Sequence, residues 1–274
     1  MVRGRLVAVV ARPVIALTLA ACTFEPIPVN IDAPQDTPRE VGGEDPPSAR
    51  FTDDLIGFWT FDDPAASPEA RDSSPSVSLV HLPVFEDATH SAPMFAGGRI
   101  TSETRSLLLS LKNNHLPADC ESANAVTLEA WVAPNPANQG TLAQPVFIAG
   151  LAKSVTDRDV VLLQADDRWL ARVRTGAADG TPNLLSMSAT ATAWTHLVVV
   201  ADGDARTLYV NNLSEATTAG GSLAGWDATV AMNLFEEPQK TRNWRGSIAL
   251  VALYKRALTA QQVEQNFIAG PDSP

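Results

Sequence analysis

The sequence predicts an all-β domain: a β-sandwich or jelly roll of two antiparallel sheets, closed by one short C-terminal helix. Three observations carry this expectation. From Phe51 onward, about a dozen short apolar or alternating runs are separated by turn-rich stretches, the spacing of a sandwich or jelly roll. Residues 55–61 (LIGFWTF) and 247–253 (SIALVAL) are apolar on both parities, as strands covered on both faces are. Only residues 259–270 carry the start and stop signals of a helix, with Thr259 as N-cap and Gln262 completing a capping box. Leu258 and Val263 form a hydrophobic staple, Val263 and Phe267 a buried stripe, and Gly270-Pro271 a stop.

The N-terminus has a different character. Arg3, Arg5 and Arg12 precede an apolar run over residues 13–21, too short to span a bilayer on its own. A basic start, a short apolar core and small residues are the parts of a secretory signal peptide over residues 1–21. The run ends Leu19-Ala20-Ala21-Cys22, which resembles a bacterial lipobox. That resemblance implies lipidation of the Cys22 thiol and cleavage before it; the alternative is an ordinary signal peptide cut near Ala20 or Ala21. Thr23 stands where lipoprotein sorting would place an aspartate for the inner membrane, so the resemblance implies a lipid anchor in the outer membrane, facing the periplasm or the exterior. Residues 22–50 are rich in proline, which keeps a chain extended and removes backbone donors, so this segment reads as a tether. Residues 51–274 then form one domain, because no second Pro-rich linker divides them.

Composition excludes several classes. The net charge is −11, and the first 21 residues hold three arginines and no acid, so the chain beyond them carries 17 basic against 31 acidic residues. Such a balance opposes nucleic-acid backbones and rules out a nucleic-acid partner. Cys22 and Cys120 are the only cysteines; with Cys22 lipidated, Cys120 is a lone thiol that reads as a small buried hydrophobe.

Strands are expected at residues 55–61, 77–81, 106–111, 126–132, 146–151, 160–165, 169–174, 184–188, 194–201, 207–210 and 230–235, then at the strand opening the closing segment 244–270. Asp202-Gly203-Asp204-Ala205 between two of these reads as a hairpin turn. Four ordered segments carry a resemblance: LIGFWTFDD with the turn Asp72-Ser73-Ser74-Pro75, VTLEAWVAP, WTHLVVVADGDARTLYVNN and WRGSIALVALYKRALTAQQVEQNF. Together they resemble the laminin-G-like group of concanavalin A-type jelly-roll domains, and cover nearly all of residues 51–270. The resemblance implies fold; such domains occur as carbohydrate-binding modules, adhesion domains and appendages of secreted enzymes.

Sites must therefore be argued from residues. No paired-carboxylate spacing of the kind used by glycosidases occurs, no GxSxG and no phosphate-cradling glycine loop, so no catalytic residue is assigned and the chain is expected not to be an enzyme. No His/Cys spacing suggests zinc. Calcium needs six to eight oxygens; Asp62, Asp63 and Asp72 are candidate ligands, against a reading as turn chemistry, while Ala249-Leu250 stand where many relatives place an acid. Sugars stack on flat aromatics. Trp226, in GGSLAGWDA, is the tryptophan with a plainly loop-like context, and Trp131 with Glu129 shares the face opposite the expected core. The alternatives are a Trp226 ring folded back as a lid, and a Glu129 satisfied by hydrogen bonds. Trp59, Trp194 and Trp244 read as core. The functional expectation is a non-catalytic binding or adhesion module on the cell envelope, recognising a glycan or protein surface by its loops or a sheet face. The alternatives are a glycan hydrolase or lyase, and a structural envelope lipoprotein.

Overall fold

The computed structural model describes residues 49–176, 183–238 and 242–271. The expected signal peptide, the lipidation at Cys22 and all of the tether but its last two residues lie outside the described residues.

Two antiparallel sheets build the domain. The first contains β1 (Leu55–Trp59), β4 (Met94–Phe95), β5 (Ile100–Ser102), β7 (Val126–Pro134), β12 (Thr195–Ala201), β13 (Ala205–Val210), β14 (Leu213–Ala219) and β16 (Gly246–Tyr254). Its order is β14-β13-β12-β7-β16-β5-β4, with β1 also paired to β16. The second contains β2 (Glu69–Ala70), β3 (Leu82–Phe85), β6 (Leu107–Leu109), β8 (Val146–Ser154), β9 (Asp157–Ala165), β10 (Arg168–Val173), β11 (Leu184–Ala189) and β15 (Ala231–Leu234), in the order β11-β10-β9-β8-β15-β6-β3-β2. The jelly-roll sandwich expected from the strand spacing is the architecture found.

Alternation along each strand decides what is buried where. Leu128, Ala130, Leu197, Val199, Val251 and Leu253 of the first sheet meet Ile148, Leu162, Trp169, Met232 and Leu234 of the second in one continuous core. Each Val, Leu, Ile or Met side chain among them contributes about 1.5–3 kcal/mol on burial. β16 departs from simple alternation. A register shift between Ile248 and Leu250 against β7 inserts one extra residue, so Ile248 joins Val251 and Leu253 in the core while Leu250, Ala252 and Tyr254 face the other way. Simple alternation along this strand is therefore interrupted at the bulge and resumes beyond it.

The outer side of β16 is covered by α2 (Ala260–Ala269). Its capping box is complete: Thr259 accepts from the Gln262 amide, and the Gln262 side chain accepts from the Thr259 amide. Val263 and Leu258 bury against Leu250, Ala252 and Tyr254.

The expectation of a single helix is corrected. α1 (Leu116–Ala123) precedes β7, with Pro117 in its first turn, where a missing amide costs nothing. Its N-cap His115 makes no side-chain cap, so the sequence lacks a capping box there. Residues 77–81, expected as a strand, form none; Val77 is fully exposed and pairing begins at Leu82. Cys120 is buried on α1, and burial pushes its thiol well above the ordinary range. No helix among the described residues is long and apolar enough to cross a membrane.

Candidate functional site

The residues expected to bind a ligand have structural tasks. Glu129 on β7 is fully buried, with Arg50 and His196 both donating to its Oε1, the latter at 2.8 Å, and Asn266 of α2 to its Oε2 at 2.7 Å. Arg50 also reaches the Gly270 carbonyl at 2.6 Å. The carboxylate thus ties the domain entrance, the first sheet and the closing helix together, and no oxygen faces solvent. Burial alone would raise its pKa, but the Arg50 charge and the His196 hydrogen bond hold it down at about 2. Trp131 stacks on His196 at 5.0 Å and on Phe267 of α2 at 5.7 Å, and those two rings also touch at 5.7 Å. The face opposite the core is a second interior here, which corrects both expectations.

Trp226 is 6% exposed and belongs to the central core, its ring nitrogen donating to the Arg174 carbonyl at 3.1 Å. It is a lid on the sandwich, not an open platform. Trp59 and Trp244 are core as expected, whereas Trp194 is 38% exposed.

Of the three acids weighed for calcium, Asp72 and Asp63 are engaged by backbone amides. Asp72 is buried and accepts backbone amides from Phe58, Ser74 and Val80 at 3.0, 2.8 and 2.8 Å, so both oxygens are occupied in holding a turn. Asp63 accepts from the Arg71 amide. Among the described residues no group of three His, Cys, Asp or Glu side chains converges to hold a metal.

A different constellation stands out on the outward face of the second sheet. Phe147 and Ala152 of β8, Val161, Leu163 and Ala165 of β9, and Leu170 of β10 form a separate apolar cluster, each at most 1% exposed. Neither helix belongs to it. Directly paired residues of neighbouring strands share a face. Arg158 pairs with Ala152, Arg172 with Val161, and Asn233 with Gly150, itself opposite Val161. All three therefore point out of the same face.

Glu237, just beyond β15, lies 3.4 Å from Arg158 Nη2. Arg242 lies near enough for its charge to act on both. Burial most of all, helped by Arg172 and Arg242 and opposed by Glu237, pulls the Arg158 guanidinium down to about 10. Burial likewise pushes the Glu237 carboxyl up, against the pull of Arg158 and Arg242.

This polar group is incompletely satisfied. Arg158 Nε and Nη1, Asn233 Oδ1 and Glu237 Oε1 are buried without a hydrogen-bond partner among the described residues. Buried polar atoms of this kind cost about 1–3 kcal/mol each, and native folds hold few of them. A depression of about 270 Å³ lined by Gly140, Thr141, Gln144, Val146, Arg242 and Asn243 opens beside the face. A larger one, about 370 Å³, lies at the far edge of the same sheet between residues 79–83 and 111–114, with Lys112 as its cation.

Sequence reasoning missed this face because its residues come from β9, β10, β15 and the loop after it. One local signal was present. Arg158, Arg168, Arg172 and Arg174 crowd a single hairpin of an otherwise acidic chain.

The comparisons with known proteins agree with the architecture. Trypanosoma rangeli sialidase, solved with a difluoro-KDN, superposes with a TM-score of 0.57 at 14% identity over 80% of this chain and 33% of its own. The binding domain of botulinum neurotoxin DC, solved with SialylT, gives 0.57 at 10% identity over 79% of this chain and 51% of its own. The chain thus spans about a third of the sialidase and half of the toxin domain, and at these identities the likeness is one of fold. A search of curated protein sequences finds no match. The expectation that the chain is not an enzyme is corrected: sialidases share its fold, which is compatible with an enzyme as well as with a binding module. The profile of the concanavalin A-like lectin/glucanases superfamily, in its laminin-G-like form, matches residues 110–264. More than half of the chain is covered by that match, and the chain belongs to the concanavalin A-like lectin/glucanase superfamily.

Proposed function

We propose that this domain is a recognition module displayed on the cell envelope, and that it binds a glycan, or a glycan-bearing protein surface, on the outward face of the second sheet. The observation that carries the reading is the set of buried, unpartnered polar atoms on Arg158, Asn233 and Glu237 beside an apolar patch. The apolar cluster is itself at most 1% exposed, and a ligand would reach these atoms through the depression lined by Gln144, Arg242 and Asn243 beside it. Hydroxyl groups of a saccharide supply both donors and acceptors, which is what an orphaned guanidinium, amide oxygen and carboxylate together call for. The structural neighbours lend support of a coarser kind. The sialidase is solved with sialic acid, and the toxin domain with SialylT and with rat synaptotagmin II.

Display rests on the resemblance of residues 19–22 to a lipobox. In this reading Cys22 carries the lipid, residues 22–50 hold the domain off an outer membrane, and the recognition face is presented beyond it.

A glycan array probed with the purified protein tests the reading, scored for product release as well as retention because the fold also serves enzymes. Gln144→Trp fills the depression beside Arg242 and is expected to abolish retention, while Lys112→Ala at the far edge leaves it unchanged. Retention by Gln144→Trp as strong as by the parent would place the site elsewhere. In cells, Cys22→Ala is expected to release the protein from membranes and to remove acyl labelling; undiminished labelling contradicts the anchor.

A further inference from the structure

A second depression, of about 370 Å³, lies apart from the saccharide site. It opens between β2, the last strand of the second sheet, and residues 79–83 and 111–114; β6 and β3 separate β2 from β15. Its volume falls in the range of small-ligand sites, about 300–1,000 Å³. Leu79, 50% exposed, and Leu111, 78% exposed, stand with Pro83 as an apolar wall open to water. Glu69 and Lys112 are opposite charges lining the same hollow. Among the described residues neither side chain makes a hydrogen bond or an ion pair, with the other or with a third group.

The wall is held outward by bonds in its own loops. His115 Nε2 donates to the Ser78 carbonyl at 2.7 Å, and the Asn114 side chain donates to the Leu111 carbonyl at 2.9 Å. Asn113 turns the chain in the left-handed region at φ 59°, its amide donating to the Ala228 carbonyl at 3.0 Å. His81 Nδ1 accepts from the Asp72 amide at 3.1 Å, which leaves Nε2 as the donor of the neutral ring. A single exposed leucine is ordinary surface. Here two of them wall a hollow that also holds an unpaired carboxylate and an unpaired ammonium. A fatty acid would leave Glu69 unmatched and an amine would leave Lys112 so; a zwitterion with an apolar body matches both. An anionic lipid surface would meet the same leucines but is opposed by Glu69 and by the acidic balance of the chain.

We propose that this depression binds a short apolar peptide with free termini: its ammonium against Glu69, its carboxylate against Lys112, and its aliphatic side chains on Leu79, Leu111 and Pro83. His81 then supplies a donor for the peptide carbonyl.

Dileucine, its N-acetyl form, its C-terminal amide and the doubly capped form are titrated into the isotopically labelled protein, and amide chemical shifts are followed. Shifts are expected in residues 79–83 and 111–114, with the free dipeptide binding best. Each single cap is expected to weaken binding about threefold to fivefold, as loss of an exposed ion pair does. Lys112→Ala should make the protein indifferent to amidation, and Glu69→Gln to acetylation, because each removes the partner that the cap would deprive. Leu111→Ser should weaken every form. All three side chains lie outside the core, so these variants keep the fold. Equal binding of free and doubly capped dipeptides overturns the pairing of charges. Shifts elsewhere, or an affinity that Leu111→Ser and Lys112→Ala leave unchanged, overturn the site. Absence of shifts with every form, together with binding to phosphatidylcholine vesicles that Leu111→Ser abolishes, overturns the peptide in favour of a lipid surface. Absence of binding to peptides and vesicles alike overturns it outright.

Discussion

Replacing Glu129 by alanine is expected to destabilise the domain by roughly 3–5 kcal/mol, the cost of removing one partner of a buried ion pair. The magnitude follows from what would be stranded. Arg50 would lose its carboxylate while remaining buried, and His196 and Asn266 would lose acceptors that no water can replace at this depth. Arg50 also stands where the chain enters the domain, and its second bond holds the end of α2 at Gly270. The loss is therefore expected to loosen the first sheet and its closing helix together.

The same carboxylate sets an acid limit. Its folded pKa, at about 2, lies below the ordinary 4.5. A depressed acid stabilises the fold above its unfolded value and loses that contribution as pH falls through the folded one. The contribution of about 3 kcal/mol should be intact above pH 4.5 and gone near pH 2. Denaturant unfolding of the parent at pH 7 and pH 3 should show this fall, and Glu129→Ala should show less of it. An alanine variant as stable as the parent but unable to bind ligand would return Glu129 to the role the sequence first suggested.

Trp244→Ala is expected to cost about 3–5 kcal/mol, the range for emptying a buried aromatic site. The ring is fully buried, stacked at 6.1 Å on Phe235, and donates to the Gln164 side chain on β9 at 2.7 Å. Its amide donates to the Phe235 carbonyl at 2.7 Å, closing the base of the loop that carries Glu237 and Arg242. The substitution should thus weaken ligand binding as well as stability. Trp244→Phe keeps much of the packing but orphans the Gln164 oxygen, a smaller loss of about 1–3 kcal/mol. Thermal unfolding of the pair checks the order; a phenylalanine variant as unstable as the alanine one would mean that the hydrogen bond outweighs the packing.

The fold was legible in the sequence wherever the signal was local. The capping box at Thr259 and Gln262, the alternation of β7 and the apolar run of β1 each sit in a few consecutive residues and behave as their periodicity requires. The bulge in β16 did not show, because Ile248, Ala249 and Leu250 are all apolar and an extra residue leaves no mark in such a run. α1 was hidden by its eight-residue length and by Pro117, which punctuates a loop as readily as a helix start. At the site, the sequence drew attention to a carboxylate beside a tryptophan, chemistry that suits a sugar. Distant partners decided otherwise, since Arg50 and Asn266 lie 79 and 137 residues from Glu129. The arginines of β9 and β10 were visible as a cluster, but their convergence with Glu237 and Arg242 depends on sheet order, which no local pattern encodes.

Amide hydrogen exchange with and without the saccharide that binds best tests the central claim most directly. Protection is expected to concentrate in Val146–Ser154, Asp157–Ala165, Arg168–Val173 and Ala231–Leu234, the strands that build the outward face of the second sheet. Protection confined to residues 79–83 and 111–114, the depression at the far edge, would contradict it.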